Sequence, residues 1–164
     1  MKKIVSLLLV IVLLVCAFAL SACEVDDVDD TPREMSNEEK LYRIVVSSQF
    51  FLNEVADRIY ENWYECIFEH KYGGDIDEAV NSALSFDEAI IKILKENDED
   101  IKELYKEVKD GELSEEFQTV MQAYTDYYNL VVNVSGSFLQ FRENKEICKQ
   151  ELSSAMELLS RKFD

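Results

Sequence analysis

Hydrolytic and nucleophilic machinery is thin in this 164-residue sequence. His70 is the only histidine, so any Ser-His-Asp or Cys-His arrangement must pass through it. Its place near the end of a long helical stretch suits another role. An imidazolium there is favoured by the helix dipole and can bond the last carbonyls. One histidine and no Glu-x-x-His pair argue against a histidine-based metal centre and against the di-iron bundle signature. The acidic runs Asp26 to Asp30 and Glu96 to Asp100 lack the alternating acids, glycine and closing glutamate of an EF-hand loop. They read as solvated charge, and Gly73-Gly74 alone is no phosphate loop. Cys66 and Cys148 lie too far apart in sequence for a compact zinc knuckle. Either they pair, closing a long loop for roughly 4 kcal/mol, or they are small buried hydrophobes. The expectation is a protein without catalytic residues, cofactor or metal.

The aromatic residues are the remaining candidates. Tyr60, Trp63, Tyr64, Phe68 and Tyr72 crowd the end of the first helical stretch, and Tyr124, Tyr127 and Tyr128 crowd a later one. Tyrosine and tryptophan serve surfaces that are apolar on one side and wet on the other, interfaces included, and they serve cores as well. Tyr60, Trp63, Tyr64 and Tyr127 are the candidate binding face.

Positioning these residues falls to helices. Ser36-Asn-Glu-Glu39 is a capping box, and from it Leu41, Val45, Ser48, Leu52, Val55, Ile59, Asn62 and Cys66 recur at three- and four-residue steps. A second stripe of Val46, Phe50, Tyr60, Trp63 and Ile67 widens that face toward two neighbours, and Gly73-Gly74 stops the helix. Asp75 caps a short helix through Ala79, Val80 and Leu84. Ser85-Phe-Asp-Glu88 reads as a further capping box, opening a helix with a buried stripe of Phe86, Ile90, Ile93, Ile101, Leu104 and Val108 and a stop at Gly111. Phe117, Val120, Tyr124, Tyr127, Val131 and Val134 mark the next helix. Residues 133–137 are a turn or a kink. Ser137-Phe-Leu-Gln140 caps the last helix, with Phe141, Cys148, Leu152, Ala155 and Leu159. Strand alternation is absent and the connections are short. The expected fold is therefore all-α: an up-and-down antiparallel bundle of three to four long helices over residues 36–164.

The chain begins with Lys2-Lys3 and an apolar run from Ile4 to Leu20, the layout of a secretory signal. Leu20-Ser21-Ala22-Cys23 closes that run and resembles the lipobox of bacterial lipoprotein precursors at every position. The resemblance implies a signal peptide over 1–22, cleavage between Ala22 and Cys23, and a diacylglycerol on Cys23. Two acyl chains anchor stably at ~0.8 kcal/mol per buried CH₂. An uncleaved membrane anchor is the alternative, and either places the body outside the cytoplasm. Residues 23–35 are an acidic tether holding the only proline and spanning on the order of 20 Å.

Without Lys2 and Lys3, 15 basic side chains face 34 acidic ones, a net charge near −19. Nucleic acid is not an expected partner, because phosphate binding needs a basic surface. Beyond the lipobox, Trp63-Tyr-Glu-Cys-Ile67 with Tyr72, Tyr124-Thr-Asp-Tyr127 and Ser135-Gly-Ser-Phe138 resemble small uncharacterised helical lipoproteins of Gram-positive bacteria and their phages. Those relatives tend to carry proline before Ser-Gly-Ser, where this chain has Val134. The resemblance implies the fold and the location and supplies no active site; of the functional readings, only prophage-type exclusion comes from it. The lipobox, the helical patterning and the shortage of catalytic side chains point to a membrane-held binding protein whose partner is another envelope protein or an incoming macromolecule. The rival expectation is a small-ligand binding or sensing lipoprotein with a pocket near Trp63 and Tyr127.

Overall fold

Ser36 opens the first helix by the reciprocal bonds its spacing predicts. Its hydroxyl accepts the Glu39 N–H at 3.2 Å, and the Glu39 carboxylate accepts the Ser36 N–H at 3.1 Å. The computed structural model describes residues 34–163. The signal, the Ala22–Cys23 cleavage point, the acidic run Asp26 to Asp30 and the tether as far as residue 33 lie outside the described residues. All regular structure in 34–163 is helical: α1 (Asn37–Glu69), α2 (Ile76–Phe86), α3 (Glu88–Val108), α4 (Ser114–Val132) and α5 (Phe138–Ser160). None of the described helices is long and apolar enough to cross a membrane.

With 33 residues, α1 is about 50 Å long and is the strut against which the others pack. Its predicted stripe is buried from Leu41 to Cys66, Ser48 included, except for Asn62, which is half-buried. The second stripe is only partly buried. Trp63 is in the core and Tyr60 is half-buried, whereas Val46, Phe50 and Ile67 are exposed. Val46 lies about 100° round the helix from Val45, beyond what the neighbouring helices cover.

Contacts along α1 set the topology. Arg58 meets Asp87, and Asn97 meets Ser48, so α3 runs antiparallel to α1. On the far side of Asp87, Asn62 donates to the Ala79 carbonyl at 3.1 Å, so α2 lies against the C-terminal end of α1 in the same direction. Together α2 and α3 form one arm broken at a single residue. Tyr127 on α4 reaches Asn53, and Lys145 and Ser153 on α5 reach Asp57 and Gln49. The result is an up-and-down bundle of four arms, the second of them bent.

That bend corrects the sequence reading. Ser85 sits inside α2, and the capping box with Glu88 does not form. Asp87 instead links the helices, donating its N–H to Ala83 and accepting from Ile91, while its carboxylate turns inward to Arg58. The buried stripe of α3 shifts with it to Leu94, Asp98, Ile101 and Val108, leaving Phe86 and Ile93 exposed. The run Glu96 to Asp100 is therefore not wholly solvated: Asp98 is buried and paired with Lys102 at 2.7 Å.

Two further terminators are local. His70 ends α1 before the glycines, adopting left-handed backbone (φ 56°) and donating its N–H to the Glu65 carbonyl. Asp75 accepts the Glu78 N–H at 3.1 Å and starts α2 as expected. Residues 133–137 are a turn between two helices. Gly136 takes φ +88°, and a Cβ there would sit 3.0 Å from Gln140 Oε1, the oxygen that receives the Ser137 N–H.

Cys66 and Cys148 are free and buried, which overturns the disulfide. Register explains it. The pairs Gln49–Ser153, Asp57–Lys145 and Tyr64–Phe138 place Cys148 level with Glu54. That is twelve residues from Cys66 along the axis, about 18 Å, whereas a bridge needs Cα atoms within about 7 Å. Burial also pushes the Cys148 thiol up, with Glu151 and Asp126 adding to it, so the nucleophilic thiolate is scarce. Both thiols should resist a maleimide reagent in the native protein and react once it is unfolded. A reductant should leave the melting temperature unchanged; a drop of several degrees would mean a bridge.

Candidate functional site

The C-terminal end of α1 and the first turn of α5 build one aromatic cluster. The Ser137 capping box, with the Gln140 N–H donating to Ser137 Oγ at 3.3 Å, fixes where α5 begins and thereby places Phe138. Phe138 is the hub. Tyr60 stacks on it at 5.3 Å, Trp63 and Phe68 meet it edge-on at 6.1 Å, and Tyr64 lies at 6.4 Å. Behind it, Trp63 packs on Phe141 at 5.7 Å. The hub is buried, but Tyr64 and Phe68 are 42% and 58% exposed, in contact with each other at 4.7 Å. Apolar surface is thus held out to solvent on a rigid base.

The structure divides the predicted binding face. Tyr60, Trp63 and Tyr64 converge on Phe138, and Tyr127 does not. Tyr127 is fully buried in the middle of the bundle, its hydroxyl donating to Asn53 Oδ1 at 2.8 Å. A groove of about 420 Å³ does adjoin Trp63, formed by Ile76, Val80 and Leu84 of α2 and the turn through Gly136, without Tyr127. The Trp63 Nε1–H is buried without a partner, a cost of about 1–3 kcal/mol.

Polar contacts bind the arms at three levels. Asn97 donates to the buried Ser48 hydroxyl at 3.0 Å. Lys145, itself buried, donates to Asp57 at 2.6 Å and lies 4.8 Å from the centre of the Tyr60 ring. Arg58 donates to Asp87 at 2.7 Å with its guanidinium 4.2 Å from the centre of the Phe86 ring. None of these pairs was predicted, because each joins residues far apart in sequence whose meeting depends on register. The inward position of Ser48 among apolar neighbours was the one signal available.

Burial raises the hydroxyl pKa of Tyr124, with the Asp98 charge adding to it, and that of Tyr127, with Asp57 adding to it. For Lys145 burial pulls downward, but the Asp57 hydrogen bond and charge outweigh it, and the net shift is upward. All three raised values act in one direction. The fold holds these groups protonated, so their contribution is whole below the unfolded values near 10 and is lost as pH rises above them. Stability should fall steadily above about pH 10, read as a declining urea midpoint. A midpoint that held level to about pH 12 would contradict the burial of these hydroxyls.

His70 is exposed at a helix end, and among the described residues no group of three or more His, Cys, Asp or Glu side chains is placed to hold a metal ion. What the cluster offers is contact surface. Comparison of the chain with protein-family models, with curated proteins and with solved structures found no match in any of the three.

Proposed function

We propose that this chain is a lipid-anchored protein of the extracytoplasmic membrane face that works by binding another envelope protein. The observation that carries the binding reading is the pair Tyr64 and Phe68, exposed on a cluster whose hub Phe138 is buried. Aromatic side chains held rigidly lose little entropy on docking and are common anchors of interfaces. The anchor reading is supported by Leu20-Ser21-Ala22-Cys23. With a net charge of −17 for the whole chain, the partner that fits presents an apolar centre ringed by lysine or arginine.

In-cell crosslinking tests both parts. Cells should incorporate labelled palmitate into the protein and lose it in Cys23→Ala. One partner should be captured, less so as salt rises, and capture should fall by about tenfold or more with Tyr64→Ser and Phe68→Ser combined. Equal capture by that double variant, with its melting temperature unchanged, would sink the aromatic surface. Undiminished palmitate labelling in Cys23→Ala would sink the anchor.

A further inference from the structure

A second surface, on the outer side of α4 and α5, has the shape and charge of a helix receptor. The outer faces of α4 and α5 enclose a groove of about 910 Å³. On α5, Ile147, Glu151, Ser154 and Leu158 fall at steps of four, three and four residues, so they share one face over three turns, about 16 Å. Ile147 and Leu158 stand 52% and 55% exposed at its two ends. Between them the floor is small, formed by the buried Ala123 of α4 and Ala155 of α5, while Gln122, Gln150 and Glu151 stand along the walls. Apolar ends above a floor of small side chains let another helix lie close, since interaxial distance is set by side chains at the contact.

Charge selects the occupant. Asp126 and Glu151 line the groove, and no lysine or arginine is among the described residues that do. Both acids raise the pKa of the Cys148 thiol behind it, so their field reaches inward. A second copy of this chain, at −17, is repelled. We infer that the α4–α5 groove receives an amphipathic helix of a partner protein, its apolar face between Ile147 and Leu158 and its lysines or arginines on Asp126 and Glu151. This is the helix-in-groove mode of recognition. It rests on the reading of the chain as a binding protein but not on the aromatic cluster.

The test uses a fluorescent synthetic leucine–lysine helix of about four turns, with two controls: a scrambled peptide of the same composition and a leucine–glutamate analogue. Anisotropy should show saturable binding of the amphipathic peptide, weaker by about tenfold or more for the scrambled one, and none for the acidic one. Ser154→Tyr fills the groove from an exposed position without changing charge and should abolish binding. Asp126→Asn with Glu151→Gln should weaken binding and flatten its salt dependence. Tyr64→Ser with Phe68→Ser should leave it unaltered, which separates this site from the aromatic surface. Binding that survives Ser154→Tyr, or that the scrambled peptide matches, would show only adhesion to an acidic body and would overturn the inference. So would a concentration-dependent dimer of the protein abolished by Ser154→Tyr, since the groove would then belong to a second copy.

Discussion

Replacing Phe141 by alanine should destabilise the bundle by about 3–5 kcal/mol, the range for emptying a buried phenylalanine site. Phe141 is fully buried and packs on Trp63, one turn into α5. Its ring lies where α5 meets the end of α1, and the neighbours that would have to close the cavity are themselves held. Trp63 is wedged edge-on against Phe138, and α5 is fixed at its start by the Ser137 cap. The site therefore collapses poorly, which places the loss in the upper part of that range. The comparison is Phe68→Ala, on the same cluster but more than half exposed, which should cost about 1 kcal/mol or less. Urea titration of both variants reads the difference through the midpoint, with an unchanged slope showing that the unfolded state is the same. Similar losses for the two would mean that the cluster is not organised around a buried interior.

Arg58→Ala should cost about 3–5 kcal/mol, and more than Asp87→Ala. The two sides of the pair are unequal: the Asp87 side chain is 2% exposed and that of Arg58 is 31% exposed. Removing the arginine strands a carboxylate out of water, the costly way to break a buried pair. Removing the aspartate leaves a guanidinium that is already partly in solvent and still lies over Phe86, a loss of about 1–2 kcal/mol. The double variant should lose clearly less than the two single losses combined, because no charge is then left buried and alone. Strict additivity would show that Arg58 and Asp87 do not depend on each other. Because Asp87 is also the joint between α2 and α3, the same cycle measures how firmly the bent arm is held against α1.

The sequence by itself determined the helices, their approximate ends and most of the core. Helix period and capping are local: they depend on residues three or four apart, and those are visible in a string. Ser36, Asp75 and Ser137 each accept the amide they were expected to accept, and the stripes of α4 and α5 are buried as read, except that Val134 lies past the end of α4 and is half-buried. The failures came where local signals competed. Ser85-Phe-Asp-Glu88 has the letters of a capping box, but a buried ion pair with Arg58 claimed Asp87 and moved the break two residues on. Phe86 and Ile93 then turned outward and Leu94 inward.

The site was legible only in part, for the same reason at longer range. Aromatic crowding near Trp63 was plain, yet that Phe138 is its hub and that Tyr127 belongs elsewhere depended on how α5 and α4 sit against α1. Whether Cys66 meets Cys148 was likewise a question of register, and an axial offset of about 18 Å decided it. The α4–α5 groove has no signature in either helix alone, since its floor of Ala123 and Ala155 is a joint property of two stretches. Period and caps belong to the chain; what lies beside what belongs to packing, and tertiary structure decided it.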